Sequence, residues 1–230
     1  MMGRSAVGEK RDALLDAVVV FAAGPDPAGV VSVPPGAVIV AADGGAEHAL
    51  RLGLAVDVAV GDFDSISRAG LAALERAGVR VERHACVKDA TDLELALDVA
   101  VGLRPRRILV VGSGSGRADH AFGQLLLLGS KAYRGVEIDA QVGRALIHVI
   151  RGERSLAGAR GELISLFALH GPAVGVATEG LVYPLCGETL APGSSRGVSN
   201  VFAAEEARVR LERGVLLAVR PGGQDARSQS

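Results

Sequence analysis

Tryptophan is absent, and aromatic residues make up only 3% of the 230-residue chain. The core must therefore be Val, Leu and Ala packing. Base-stacking modules for single-stranded nucleic acid are disfavoured on the same ground. Neither sign of charge is in excess: 25 basic residues balance 26 acidic ones, for a net charge of −1. No basic surplus points to DNA or to an anionic membrane. Cysteine is scarce as well. Cys86 and Cys186 belong to no CxxC pair, so their spacing gives zinc no support. Both read as buried free thiols of a reducing cytoplasm. No apolar run reaches the ~18 residues of a membrane-spanning helix. Met1–Asp16 lacks the apolar run and cleavage site of a signal peptide. The expectation is a cytoplasmic chain with no nucleic-acid or membrane partner.

Apolar residues, by contrast, are plentiful at 49%, enough for a sizeable core in one large domain or two small ones. Strands are expected at Val18–Phe21, Ala37–Ala41, Val56–Val60, Val79–Arg83 and Arg107–Val111. Helices are expected between them: a short one over Glu47–Leu52, one capped by Ser65 or Ser67 and stopped by Gly78, and one beginning after Thr91. In the third, Thr91 and Glu94 make a capping box. An apolar helix follows the fifth strand, to about Leu128. This alternation argues for an α/β fold with a mostly parallel sheet and flanking helices. After about residue 135 the rhythm breaks into short segments punctuated by Gly and Pro: Leu163–Leu169, Val174–Thr178, Val198–Phe202, Arg208–Leu211 and Leu216–Val219. They read as a smaller C-terminal antiparallel β domain. The division expected is a lead-in over 1–16, an α/β domain over 17–140, a β domain over 141–221 and a polar tail over 222–230.

Four loops fall at the carboxyl ends of the expected strands, where open α/β sheets bind ligands. They carry Asp43, then Asp62 with Asp64 in Gly61-Asp62-Phe63-Asp64-Ser65, then Lys88 to Asp92, then Arg117 to His120. Singly each has a plain structural explanation, as a turn, a helix cap or a helix-dipole partner. Jointly they make a different pattern. In extended chain the i, i+2 spacing points Asp62 and Asp64 the same way. A cluster of hard oxygen ligands suits Mg²⁺ and its bound phosphates. Lys88 and Arg117 would supply cations, and Gly112, Gly114 and Gly116 would let backbone N–H groups approach an anion. Metal, positive clamps and positioning are what phosphoryl or diphosphoryl transfer requires.

Other motifs fail. No G-x-x-x-x-G-K-[ST] occurs, and Gly112-Ser113-Gly114-Ser115-Gly116 misses the dinucleotide fingerprint. Gly193-Ser194-Ser195-Arg196-Gly197 satisfies G-x-S-x-G. It lacks the strand before and the helix after that a nucleophile elbow needs.

Taken in order, Ala42-Asp43-Gly44-Gly45-Ala46, Gly61-Asp62-Phe63-Asp64-Ser65, Lys88-Asp89-Ala90-Thr91-Asp92-Leu93-Glu94 and Gly114-Ser115-Gly116-Arg117-Ala118-Asp119-His120 closely resemble the thiamine pyrophosphokinase (thiamine diphosphokinase) family. The likeness continues through Gly180-Leu181-Val182-Tyr183-Pro184-Leu185 and Gly197-Val198-Ser199-Asn200, which look like that family's thiamine-binding β domain. The resemblance implies an α/β ATP-binding catalytic domain followed by a β-sandwich-like one, and a homodimer with sites built from both subunits. The implied reaction is diphosphate transfer from ATP to the hydroxyl of thiamine, with AMP leaving. By the same carry-over, Asp43, Asp62, Asp64 and Asp92 would bind Mg²⁺ or orient metal-bound phosphates. Asp62, Asp64, Lys88 and Asp92 would form the catalytic set. Asp43, Gly44, Lys88, Gly114, Gly116, Arg117, Asp119 and His120 would contact ATP, and Tyr183, Ser199 and Asn200 would lie at thiamine.

Two departures stand out. Tyr183 occupies a position where the family often has Trp, and it reads more readily as core packing than as a ring-stacking residue. The glycine loop lacks the common Gly-Gly pair. The alternatives are a diphosphokinase for another hydroxymethyl heterocycle, such as a pterin, and a non-catalytic nucleotide- or thiamine-binding regulator.

Overall fold

The computed structural model describes residues 15–24, 30–86, 89–114 and 116–222. Its first half contains β1 (Leu15–Phe21), β2 (Val38–Ala42), α1 (Gly45–Arg51), β3 (Val58–Gly61), α2 (Arg68–Ala77), β4 (Arg80–Arg83), α3 (Asp92–Gly102), β5 (Pro105–Gly112) and α4 (Ala118–Leu128). Nine strands follow: β6 (Glu137–Val142), β7 (Ala145–Ile150), β8 (Glu153–Ala157), β9 (Leu163–Ala168), β10 (Ala173–Glu179), β11 (Cys186–Leu190), β12 (Asn200–Val201), β13 (Glu206–Arg210) and β14 (Leu216–Arg220).

One sheet of ten strands, ordered β12-β9-β14-β7-β6-β5-β1-β2-β3-β4, crosses the whole chain. From β6 to β4 every pairing is parallel; from β7 to β12 every pairing is antiparallel. The strands between are buried on both faces and read as continuous Val, Ile and Ala runs, as parallel sheets require. One face packs against α3 and α4 through Leu93, Ala96, Leu97 and Leu128. The opposite face packs against α1 and α2 through Ala46, Ala49 and Leu74. The local signals work as expected. Ser67 accepts from the Gly70 N–H to cap α2, Gly78 ends it at φ 72°, and the Thr91 side chain accepts from the Glu94 N–H at 3.2 Å to cap α3.

A second sheet, β11-β10-β13-β8, is wholly antiparallel. It closes over the β7-β14-β9 part of the large sheet on a core of its own, with Ile150, Ile164, Leu166 and Leu216 meeting Leu156, Val176, Leu190 and Val209. This is the expected sandwich-like arrangement. The boundary expected between residues 140 and 141 falls inside β6, which bonds to β5 on one side and β7 on the other. Two cores therefore share one unbroken sheet. The expected strand Val198–Phe202 shrinks to Asn200–Val201, because Ser199 adopts φ 57° and closes a turn. Cys86 and Cys186 are exposed rather than buried. No helix among the described residues is long and apolar enough to cross a membrane.

Charged residues latch the two sheets together. Arg154 on β8 reaches Asp139 on β6 at 2.7 Å and Glu137 at 2.8 Å, and His148 Nδ1 lies 2.8 Å from Asp139. Burial pushes the Asp139 carboxyl up, but hydrogen bonds from His148 and Arg154 outweigh it and hold the group below its ordinary value of 3.8. As pH falls, the unfolded chain takes up that proton first, so the stabilisation is complete above 3.8 and is lost as pH drops through the lower folded value. Arg154→Met is expected to cost about 2–3 kcal/mol at neutral pH, somewhat less than for a fully buried pair. In denaturant titrations the gap from wild type should narrow below pH 3.8.

Candidate active site

The carboxyl ends of β1, β2, β3 and β5 form one edge of the parallel region. The chain turns right from β1 toward β2 and returns on its other side with β5, so a ligand crevice opens at this edge. Asp43 follows β2 directly. Its N–H donates to Val60 O at 2.8 Å, which ties it to β3, and its φ of 45° turns the chain sharply into α1. Gly61 ends β3, and Asp62 comes next. Asp92 is the first residue of α3. Their carboxylate oxygens converge: one atom from each of Asp43, Asp62 and Asp92 lies within 4.8 Å of the others.

Gly61 makes this convergence possible. Its φ is 151°, and a Cβ there would sit 3.0 Å from Asp92 Oδ1 and 3.1 Å from Asp43 Cβ. Asp43 is 2% exposed, and its Oδ1 accepts no hydrogen bond. Burial pushes its carboxyl up from the ordinary range. The Ser65 hydroxyl pulls the other way, and the nearby charges of Asp92 and Asp64 raise it further. A buried oxygen with no donor, inside a convergent set of hard carboxylates, is an arrangement that a divalent cation completes. The residues present therefore fit Mg²⁺.

Asp64 stands apart from this group. Phe63 adopts φ 63°, which breaks the extended alternation expected of an i, i+2 pair. Its ring is buried, and the Arg83 guanidinium lies 5.3 Å above the ring centroid. Asp64 consequently faces solvent. Its N–H donates to Asp62 Oδ1 at 3.2 Å, and its own Oδ1 accepts from the Ser65 hydroxyl at 2.9 Å. It orders the loop and adds negative charge near Asp43. Lys88 and Ser115 lie outside the described residues.

Arg117 and Asp119 form an exposed bidentate pair, at 3.1 and 2.6 Å, at the start of α4. Hydrogen bonding from Arg117 holds the Asp119 carboxyl down to about 2. His120 is exposed on the same turn. Gly114 packs against the β6–β7 turn, where a Cβ would come within 3.1 Å of Gly143 Cα. This packing demands a small residue independently of any anion. A cavity of about 410 Å³ opens on the α1 side, lined by Gly24, Gly44, Glu47, His48, Arg51 and Ser65. The four polar members of this set were not anticipated from the sequence; only the run of polar residues on one short helix hinted at the three on α1.

The far side of the molecule holds the remaining residues. Asn200 is buried, and its side chain makes three hydrogen bonds: Oδ1 accepts from the N–H groups of Tyr183 at 3.0 Å and Val201 at 2.9 Å, and Nδ2 donates to Tyr183 O at 2.7 Å. Ser199 donates its N–H to Ser165 Oγ at 3.0 Å. Tyr183 is 58% exposed, beside exposed Val182 and Val198, so it is not core packing. Asn200 latches its backbone while the ring projects into solvent. Eight strand steps separate β12 from β3 in the large sheet, about 38 Å at the usual inter-strand spacing. Within one chain, Ser199 and Asn200 do not join the aspartates.

The family model of the thiamin pyrophosphokinase catalytic domain matches residues 35–139, and that of the thiamin pyrophosphokinase vitamin B1 binding domain matches residues 147–216. Thiamine pyrophosphokinase of Bacillus subtilis is 37% identical over 100 residues, 44% of this chain; the matched stretch spans 45% of that relative. The crystal structure of thiamine pyrophosphokinase from Bacillus subtilis superposes with a TM-score of 0.80 at 25% identity, covering 91% of this chain and all of that one. The enzyme from Geobacillus thermodenitrificans gives 0.74 at 26% identity, covering 91% of this chain and 98% of that one. Thiamin pyrophosphokinase from Candida albicans, at 17% identity and a TM-score of 0.67, shares the fold over 90% of this chain and 89% of its own. Both halves of the chain match in order, and the carboxylate edge sits in the half matched by the catalytic model: the chain belongs to the thiamin pyrophosphokinase family.

Proposed function

We propose that the chain transfers a diphosphate group from ATP to the hydroxyl of thiamine, giving thiamine diphosphate and AMP. The observation that carries this reading is the convergence of Asp43, Asp62 and Asp92, with a buried Asp43 oxygen that no hydrogen bond satisfies. These three carboxylates would hold Mg²⁺, which neutralises phosphate charge as the diphosphate moves. Asp64 keeps Asp62 oriented through its backbone N–H. Arg117 offers a planar fork for phosphate oxygens, exchanging its Asp119 partner for the nucleotide. Gly116, exposed at φ 104°, would let its backbone approach the nucleotide at the same edge. ATP as donor and two free thiols fit a cytoplasmic setting, where we place the chain. ATP labelled at the β-phosphorus tests the reading. The label should appear in the thiamine product; transfer of the γ-phosphorus alone would overturn it.

The acceptor half of the site is supplied by a second copy in this proposal. The separation of β12 from β3 supports it. So do apolar side chains left at the surface: Phe122 on α4 is 63% exposed, near the nucleotide edge, and Val182, Tyr183 and Val198 surround the Ser199 turn. An isologous dimer would bring the two regions together twice. Mixing chains that carry Asp62→Asn with chains that carry Ser199→Tyr should then restore activity. Half the dimers would be mixed, each with one intact site, so about a quarter of wild-type turnover is expected. No recovery after subunit exchange, or a monomeric mass in sedimentation, would contradict the dimer.

A further inference from the structure

We infer that Glu47 is a positioning residue that fixes the two carboxylate loops relative to each other, and thereby sets how tightly the aspartates hold a divalent cation. This inference rests on the metal reading of Asp43, Asp62 and Asp92. Glu47 lies four residues after Asp43 on α1, and its partner Ser67 lies five residues after Asp62. The Glu47 Oε1 atom accepts the Ser67 N–H at 2.9 Å. The Ser67 hydroxyl also bonds to the Glu47 carboxylate, which is held below the ordinary glutamate range chiefly by these two donors. The same hydroxyl accepts from the Gly70 N–H at 3.0 Å, so one serine caps α2 and clasps α1.

Two close approaches show that the clasp is tight. A Cβ on Gly70 would come within 2.8 Å of Glu47 Oε1, and a Cβ on Gly44 would come within 3.3 Å of Ser65 O. The loop that carries Asp43 and the loop that carries Asp62 and Asp64 therefore touch at two points beyond their aspartates. Without Glu47, the first turn of α2 loses an acceptor and the Asp62 loop loses its downstream anchor. Partners that orient metal ligands commonly change metal affinity by 10–100-fold, though they touch no metal themselves.

Length and charge separate at this position. Glu47→Gln keeps the reach and an acceptor oxygen but removes the charge; Glu47→Asp keeps the charge but falls short of Ser67. Mn²⁺ binding to the nucleotide-free protein, followed by electron paramagnetic resonance, tests the proposal together with melting temperature and steady-state kinetics. Glu47→Ala and Glu47→Asp should bind Mn²⁺ about 10-fold more weakly, with kcat reduced and KM for thiamine unchanged, whereas Glu47→Gln should stay within about twofold of wild type. Should Glu47→Ala fail to fold, the Gln and Asp variants carry the comparison alone. Folded Glu47→Asp that binds as well as wild type, or better than Glu47→Gln, overturns the positioning role and leaves the metal site standing. A wild-type chain that binds no Mn²⁺ overturns both.

Discussion

Asp62→Asn is expected to lower kcat by about 10³-fold, or about 4 kcal/mol in the barrier, while the protein stays folded. Asparagine keeps an oxygen at the Asp62 Oδ1 position, so the Asp64 N–H retains an acceptor and the loop keeps its turn. What disappears is one negative charge among three convergent carboxylates. The charges of Asp92 and Asp64 raise the Asp43 carboxyl, so the group is short of positive charge until a cation binds. The increase in melting temperature that Mg²⁺ gives to wild type should vanish, since a ligand stabilises only the state that binds it. Unchanged turnover, or an unchanged Mg²⁺ shift, would remove Asp62 from the site. Asp64→Asn serves as the internal contrast. Its carboxylate lies outside the convergent group and faces solvent. A smaller loss of metal affinity is expected there than at Asp62.

Gly61→Ala should damage the fold and the carboxylate cluster together. Two penalties coincide. The backbone stands at φ 151°, a conformation that costs a non-glycine residue on the order of 1–3 kcal/mol. The added carbon would press on Asp92 Oδ1 at 3.0 Å and on Asp43 Cβ at 3.1 Å, wedging apart two of the three convergent ligands. A drop in melting temperature of several degrees is expected, at about 2–4 °C per kcal/mol for a chain of this size. Mn²⁺ affinity and turnover should fall together by about 10²-fold, more than strain alone would cause. Gly53→Ala is the control. Its φ is 72°, and nothing lies within 4 Å of the position a Cβ would take. It should lose stability through strain but keep metal affinity. Equal effects of the two substitutions on Mn²⁺ binding would show that the wedge plays no part.

The parallel half of the fold was legible because its signals are local. Continuous Val and Ala runs, the Ser67 and Thr91 caps and the Gly78 stop each act within a few residues, and they placed Asp43, Asp62 and Asp92 at one edge. The strands β6, β7 and β8 escaped notice for a physical reason. Glu137, Asp139 and His148 interrupt the apolar runs of β6 and β7, and their partners come from other strands: Arg154 for Glu137 and Asp139, Asp139 for His148. Phe63 misled in the opposite sense. A bulky apolar residue gives no hint of positive φ, and the ring is held there by Arg83 from a neighbouring strand. Tyr183 looked like core packing because its pattern is apolar, yet the Asn200 side chain grips its backbone and turns the ring outward. Glu47 carried no signal of its role, since its partner is a backbone N–H twenty residues away.

Product analysis tests the central claim most directly. The purified chain, given Mg²⁺, ATP and thiamine, should release AMP and thiamine diphosphate in equal amounts, with AMP formation dependent on thiamine. ADP with thiamine monophosphate, AMP formed equally well without thiamine, or turnover confined to a pterin alcohol would contradict it.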